Sequence, residues 1–358
     1  MMYLSHVRRT LRFNFPARTS RGALTEHVAY YLCLRDLRQP EVAGWGEAAP
    51  LAGLSPDYGP DFEDEVANLC GRVTRAQMGE LTPAQALGVP ARLPALRFAL
   101  ETAALDLAGG GRQQLYGNAF SQGQAAIPIN GLVWMGDAAF MRQQIRQKLD
   151  AGYTCLKLKI GSLDFATELA LLAEIRAEAS AAELTLRVDA NGAFAPDEAL
   201  AKLDQLARFD LHSIEQPIAA GQGHWPALAE LCRHSPVPIA LDEELIEVTD
   251  PLYQRQLLEQ VRPAYLVLKP TLLGGHAATR HWIRLAREYG LGWWITSALE
   301  SNVGLNAVAQ LTGEYDVGDF AQGLGTGQLY HNNLAAPLSI AHGTLRYNPA
   351  GPWESPLG

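Results

Sequence analysis

Lys157 and Lys159 alternate with Leu156, Leu158 and Ile160 in the segment LKLKIG. On a strand, alternate residues share a face, so this spacing puts two ammonium groups side by side. Alone, such a pair is ordinary protection of a sheet edge. Later apolar runs, however, end in residues suited to the same place: Asp189 in RVDANG, Glu215 in IEQP, Asp242 in ALDEE and Lys269 in LKP. Any one of them fits a helix cap or a loop. Aimed together into one low-dielectric space, they would be costly unless they bound something.

The chemistry follows from the residue types. Asp189, Glu215 and either Asp242 or the adjacent Glu243 offer hard oxygen ligands, which suit a magnesium ion. The nine histidines show no zinc-ligand spacing. An ion flanked by Lys159 and Lys269 would hold a substrate carboxylate and steady the charge that develops when the neighbouring carbon loses a proton. A lysine base must be partly neutral, and the positive charge of Lys157 is expected to favour that state in Lys159.

These residues need a scaffold that points them inward. Strand-like runs at 129–134, 155–160, 185–190, 213–216, 238–242, 264–269, 292–296 and 319–323 alternate with amphipathic segments such as 138–151, 164–177, 197–209 and 276–289. That rhythm predicts parallel strands with right-handed helical crossovers, and eight of them predict a closed α/β barrel whose site lies at the C-terminal strand ends. No GxGxxG follows a first strand, so a dinucleotide fold is not supported. Residues 7–15, 27–35 and 42–48 read as antiparallel strands, with a polar loop at 18–22 and helices at 61–76 and 95–107. The glycine- and proline-punctuated loop 46–56 could cover a pocket. The expected division is an α+β capping domain over 1–124, completed by the tail 331–358, and a barrel over 125–330.

Composition narrows the function. Nearly half of the 358 residues are hydrophobic, enough for a large core, and the formal charge of −9 without a basic run argues against nucleic acid as a partner. Apolar stretches fall short of the roughly 20 residues of a membrane span, so the chain reads as cytoplasmic. Cys33, Cys70, Cys155 and Cys232 are scattered and are expected to be reduced.

The ordered set LKLKIG, RVDANG, IEQP, ALDEE, LKP and SALES resembles the enolase superfamily in its muconate-lactonising subgroup, over nearly the whole chain. The resemblance implies a modified (β/α)7β TIM-type barrel with an α+β N-terminal cap. It implies Asp189, Glu215 and Asp242 as ligands of Mg2+, for which Mn2+ can substitute, with Asn191 and Glu243 beside them. Lys159 and Lys269 become the acid/base pair. Within the subgroup, the segments 46–55, 129–135, 297–305 and 323–330 carry a closer resemblance, which implies syn elimination of water from a cyclohexadiene carboxylate bearing a succinyl chain, with Lys159 as base and then acid. The rival activity is 1,1-proton transfer, as in N-acylamino acid racemases and dipeptide epimerases. Epimerases of this subgroup usually place an Asp-x-Asp pair at the eighth strand, whereas residues 320–327 read FAQGLGTG. A dianionic small-molecule substrate is therefore expected, met by Ser297, Ser301, Gly325 and Thr326, with Arg187 and Trp134 as further candidate contacts. A non-catalytic ligand-binding barrel would require loss of a lysine or a metal ligand, and none is missing.

Overall fold

A computed structural model describes residues 2–19, 22–75 and 88–357. The N-terminal sheet has the order β1 (Met2–Thr19), β2 (Gly22–Asp36), β3 (Ala43–Ala48), all antiparallel. β1 and β2 run well beyond the alternating cores predicted for them. After the irregularity between Arg12 and Ala17 the two strands re-pair as far as Thr19 and Gly22, so 18, 19 and 22 of the expected polar loop are strand, and residues 20 and 21 lie outside the described set. Two helices, α1 (Phe62–Arg75) and α2 (Pro94–Ala108), cover this sheet. The predicted last residue of the first helix, 76, is likewise outside the described residues. Gly44 and Gly46 face α2 so closely that an added Cβ would strike the carbonyl oxygens of Ala103 and Ala99. Their lack of side chains lets strand and helix meet backbone to backbone.

The barrel begins with β5 (Gly131–Val133) and continues in strict alternation. Helix α3 (Ala138–Asp150) leads to β6 (Cys155–Lys159), α4 (Phe165–Glu178) to β7 (Thr185–Asp189), and α5 (Pro196–Leu206) to β8 (Ser213–Glu215). Then α6 (Trp225–His234) leads to β9 (Ile239–Leu241) and α7 (Pro251–Val261) to β10 (Tyr265–Leu268). The short α8 (Pro270–Leu273) and α9 (His276–Glu288) lead to β11 (Gly292–Ile295), which α10 (Asn302–Thr312) follows. The seven strands β5 to β11 pair in parallel in chain order. Leu156, Leu158, Val188, Ile214 and Leu268 join the helices in one core, while the alternate residues face the lumen.

The eighth expected strand does not form a ladder. Residues 322 and 323 instead bridge both edges, since Asn130 N donates to Gln322 O (2.9 Å) and Gly323 N donates to Ile295 O (2.9 Å). Glycine at 323 is required there, because a Cβ would collide with the Thr296 side chain. These bridges close the ring, and the result is the predicted (β/α)7β barrel. The first expected strand, 129–134, is present as β5, and the residues just before it pair elsewhere. β4 (Ile127–Pro128) pairs with a C-terminal hairpin, β12 (Leu338–Ala341) and β13 (Thr344–Tyr347), rather than with the barrel.

The tail thus serves both parts. Residues 329–332 run beside β1, with Asn14 N donating to Leu329 O (2.8 Å) and His331 N to Arg12 O (3.1 Å), whereas the hairpin sits on the barrel side. The cap is further pinned by Glu47, a buried carboxylate of β3. It accepts from Ser301 N (2.7 Å), Ser301 Oγ (2.5 Å) and Gly304 N (2.7 Å) at the start of α10, where the helix terminus favours negative charge. The four cysteines are free.

Asp57 holds the start of α2, accepting from Ala95 N at 2.8 Å, and burial pushes its carboxyl up from 3.8 to about 7. A raised carboxyl pKa means that ionisation opposes folding. The contribution of this group is intact below about pH 4 and is lost as pH rises through 7. Asp57→Asn keeps the acceptor and removes the charge, so it should stabilise the fold at pH 8 by on the order of 3 kcal/mol and by nothing measurable at pH 4. Urea unfolding at the two pH values checks this, and a deficit at pH 8 would contradict it.

Candidate active site

Register sets the site. Lys159 lies opposite Asp189, and Asp189 opposite Glu215, so three charged side chains from β6, β7 and β8 stand in a row at one level. Glu215 is level with Ala240, and Asp242 follows two residues later on the same face. Asp189, Glu215 and Asp242 each bring a carboxylate oxygen to within 4.8 Å of the others, and all three are buried.

Three lysines answer them. Lys157 donates to both oxygens of Glu215 (2.7 and 2.6 Å) and lies 2.8 Å from Asp189 Oδ2. Lys159 donates to the same Asp189 oxygen (2.6 Å) and to Asn191 Oδ1 (2.8 Å), while Lys269 pairs with Asp242. Burial works against the ammonium forms of Lys157 and Lys269, yet the surrounding carboxylates outweigh it and hold both pKa values above the ordinary lysine range. For Asp189, burial is overcome by Lys157 and Lys159, which pull its pKa down. Glu215 goes the other way, pushed well up by burial and then by the neighbouring charge of Asp189.

Side chains behind the row fix its shape. Asn191, at φ 44°, donates through Nδ2 to Glu243 Oε1 (2.9 Å), which ties the ends of β7 and β9 together. Gln216, at φ 40°, accepts from Asp242 N (3.3 Å) and Glu244 N (3.2 Å). Glu244 in turn accepts from Trp225 Nε1 at 2.6 Å. Gln216 and Glu244 were not singled out in the sequence, although the positions IEQP and DEE that contain them flank the ligand candidates.

The cluster opens into a cavity of about 380 Å3. Lys157, Lys159, Lys269, Asn191 and Glu243 form its charged floor, and the cap contributes Phe15, Leu51 and Leu54 as an apolar cover. The 46–56 loop thus covers a pocket, as its composition suggested. Of the expected substrate contacts, Ser297, Gly325, Thr326 and Trp134 line the cavity, with Thr326 Oγ1 donating to Ser297 Oγ at 2.8 Å. Ser301 does not. Its hydroxyl is turned to Glu47, where it caps α10. Arg187 also lies outside the cavity lining, packed between Trp294 (4.4 Å) and Phe320 (4.6 Å) and donating to Ala321 O at 2.7 Å. Lys157, expected to act on Lys159, bonds Glu215 and Asp189 directly. Phe15 and Leu299 were missed as lining residues, since nothing in an apolar residue of a strand or loop marks it as facing a ligand.

A barrel with acidic ends on three successive strands, two lysines flanking them and an α+β cap closing the mouth is the architecture of the enolase superfamily, and the chain belongs to it. Residues 140–352 match the family described as Enolase C-terminal domain-like. The o-succinylbenzoate synthase of Desulfotalea psychrophila is 46% identical, over 96% of this chain and 98% of its own length. The crystal structure of MenC from the same organism superposes with a TM-score of 0.85 at 43% identity, covering 96% of this chain and 99% of that one. A hydrophobic dipeptide epimerase from Roseobacter litoralis is 27% identical over 91% of this chain and 94% of its own. No helix among the described residues is long and apolar enough to cross a membrane.

Placing Arg187 against two aromatic faces gives it a packing role. Arg187→Lys keeps the charge but loses the planar stacking, so it should destabilise the fold by about 2 kcal/mol while leaving substrate KM within about twofold. Denaturant unfolding and steady-state kinetics on the same variant check the pair of expectations, and a large KM increase with unchanged stability would return Arg187 to the substrate.

Proposed function

We propose that this enzyme is an o-succinylbenzoate synthase. It would act in the cytoplasm, in menaquinone biosynthesis, removing water from 2-succinyl-6-hydroxy-2,4-cyclohexadiene-1-carboxylate. The choice of substrate is carried by the relationship of 46% identity over 96% of the chain to a protein of that name. The charged floor beneath an apolar cover supports the same reading, since it suits a ring that bears a carboxylate.

The donor set fits a magnesium ion. Asp189, Glu215 and Asp242 offer three buried oxygens within 4.8 Å of one another and no nitrogen or sulfur, the preference of a small hard cation. The ion would supply a positive anchor for the substrate carboxylate. Asn191 and Glu243 steady the floor around these oxygens.

The remaining steps belong to the lysines. Lys159 Nζ, in its neutral form, takes the proton from the carbon beside the carboxylate, and the electron pair passes into an enediolate. Lys269, which follows β10 and pairs with Asp242, would stabilise that negative charge as an ammonium. The C–O bond then breaks, the departing hydroxide takes the proton from the Lys159 ammonium, and water leaves as the ring becomes aromatic. Base and acid are the same nitrogen, which requires proton and hydroxyl to leave from one face. Lys157, locked onto Glu215 and Asp189, keeps two of the carboxylates in place. Ser297, Thr326 and the backbone at Gly325 would meet the succinyl carboxylate.

Ultraviolet absorbance on mixing protein, magnesium and the cyclohexadiene carboxylate tests the reading. Wild type should aromatise the substrate, Lys159→Ala should lose at least about 10^3-fold in kcat, and EDTA should abolish turnover, with Mn2+ restoring it. If magnesium-loaded, folded wild type leaves the substrate unchanged but exchanges the α-proton of N-succinyl amino acids or dipeptides with solvent deuterium, the racemase or epimerase activity replaces this one.

A further inference from the structure

Three loops that line the cavity converge on two side chains outside it. Leu299, in the loop after β11, has φ 68°, a left-handed conformation that L side chains other than Asn and Asp rarely take. This turn places the Leu299 side chain in the cavity wall and sends its carbonyl the other way. That carbonyl accepts from Tyr330 Oη at 2.6 Å. Tyr330 directly follows Leu329, which ends the third lining loop, and its ring packs on Phe13 of β1 at 4.6 Å.

His27 of β2 completes the arrangement. Its Nδ1 lies 3.0 Å from Tyr330 Oη and 3.2 Å from Leu299 O, and its Nε2 lies 3.2 Å from Ala49 O. Ala49 begins the loop that carries Leu51 and Leu54 over the cavity. The imidazole is buried with oxygen on both sides, so the cap loop and the barrel loop pack against one ring. A left-handed non-glycine residue persists only where its surroundings hold it, and here the holding atoms are Tyr330 Oη and the His27 ring.

We infer that Tyr330 and His27 are positioning residues that hold Leu299 in its left-handed turn, and through it set the apolar wall that the substrate ring meets. They touch no reacting atom. The inference rests on the cavity being the substrate site, and it sets affinity rather than the chemical step.

A double-mutant cycle tests it, read in two ways. Tyr330→Phe keeps the ring on Phe13 and removes one hydroxyl. It should raise KM about tenfold with kcat within twofold and an unchanged thermal midpoint, and it should speed amide hydrogen exchange across residues 297–301 at least tenfold in the free protein. Leu299→Gly tolerates the left-handed turn without help but loses the wall, so it raises KM by itself. In that background, Tyr330→Phe should add less than twofold to either KM or exchange. His27→Ala should also raise KM, and His27→Gln, which restores a donor and an acceptor, should recover most of the loss. Full additivity of Tyr330→Phe with Leu299→Gly, or wild-type KM and exchange in Tyr330→Phe, overturns the inference. If wild type fails to turn over the cyclohexadiene carboxylate, the functional reading falls, and the exchange cycle alone decides this one.

Discussion

Three carboxylates within 4.8 Å of one another, all buried, form the constraint on which the structure turns. Like charges at that separation in a low-dielectric space repel strongly, and each has also lost its hydration. The chain answers with lysines from the second and sixth strands of the barrel. Lys157 bonds Glu215 through both of its oxygens, while Lys159 and Lys269 lie against Asp189 and Asp242. The division of labour is visible in the pairing. Lys157 is shared between two carboxylates, whereas Lys159 and Lys269 hold one each, and all three border the cavity.

Much of this could be read from the sequence because strand periodicity is a hard geometric rule. Lys157, Lys159, Arg187 and Asp189 alternate with apolar residues, and a period of two admits only one face for them. The parallel register then brought Lys159, Asp189 and Glu215 level, as expected for a barrel. What the sequence left open was direction within that face. Arg187 points into the lumen like Asp189, but one layer lower, where Trp294 and Phe320 enclose it. The Ser301 hydroxyl belongs to a segment that lines the cavity, yet the start of a helix beneath it claims the group for Glu47. The choice between Asp242 and Glu243 was also beyond spacing. In the fold, Asn191 bonds Glu243 and Lys269 pairs with Asp242.

The eighth strand and the tail show a different kind of illegibility. Residues 319–323 have strand-like composition, yet only Gln322 and Gly323 make the bridges that close the ring. The Gln322 side chain supplies a further bond by accepting from Ile295 N at 2.9 Å. Non-local pairing of this sort depends on where two distant edges come to rest, which no local pattern encodes. The same holds for the tail, whose residues 329–332 run beside β1 while its hairpin pairs with β4.

The position of that closing segment in the chain has a consequence for biosynthesis. A ribosome delivers the cap and the first seven barrel strands before residues 322–332 emerge, and these are the residues that join β5 to β11 and run beside β1. Until they arrive, two parallel strand edges stand unpaired, a condition that invites misassociation during folding. The carboxylate cluster is by then already translated, but the loop carrying Thr326 and Leu329 is not, so the nascent chain carries the charged residues before it has a pocket to put them in.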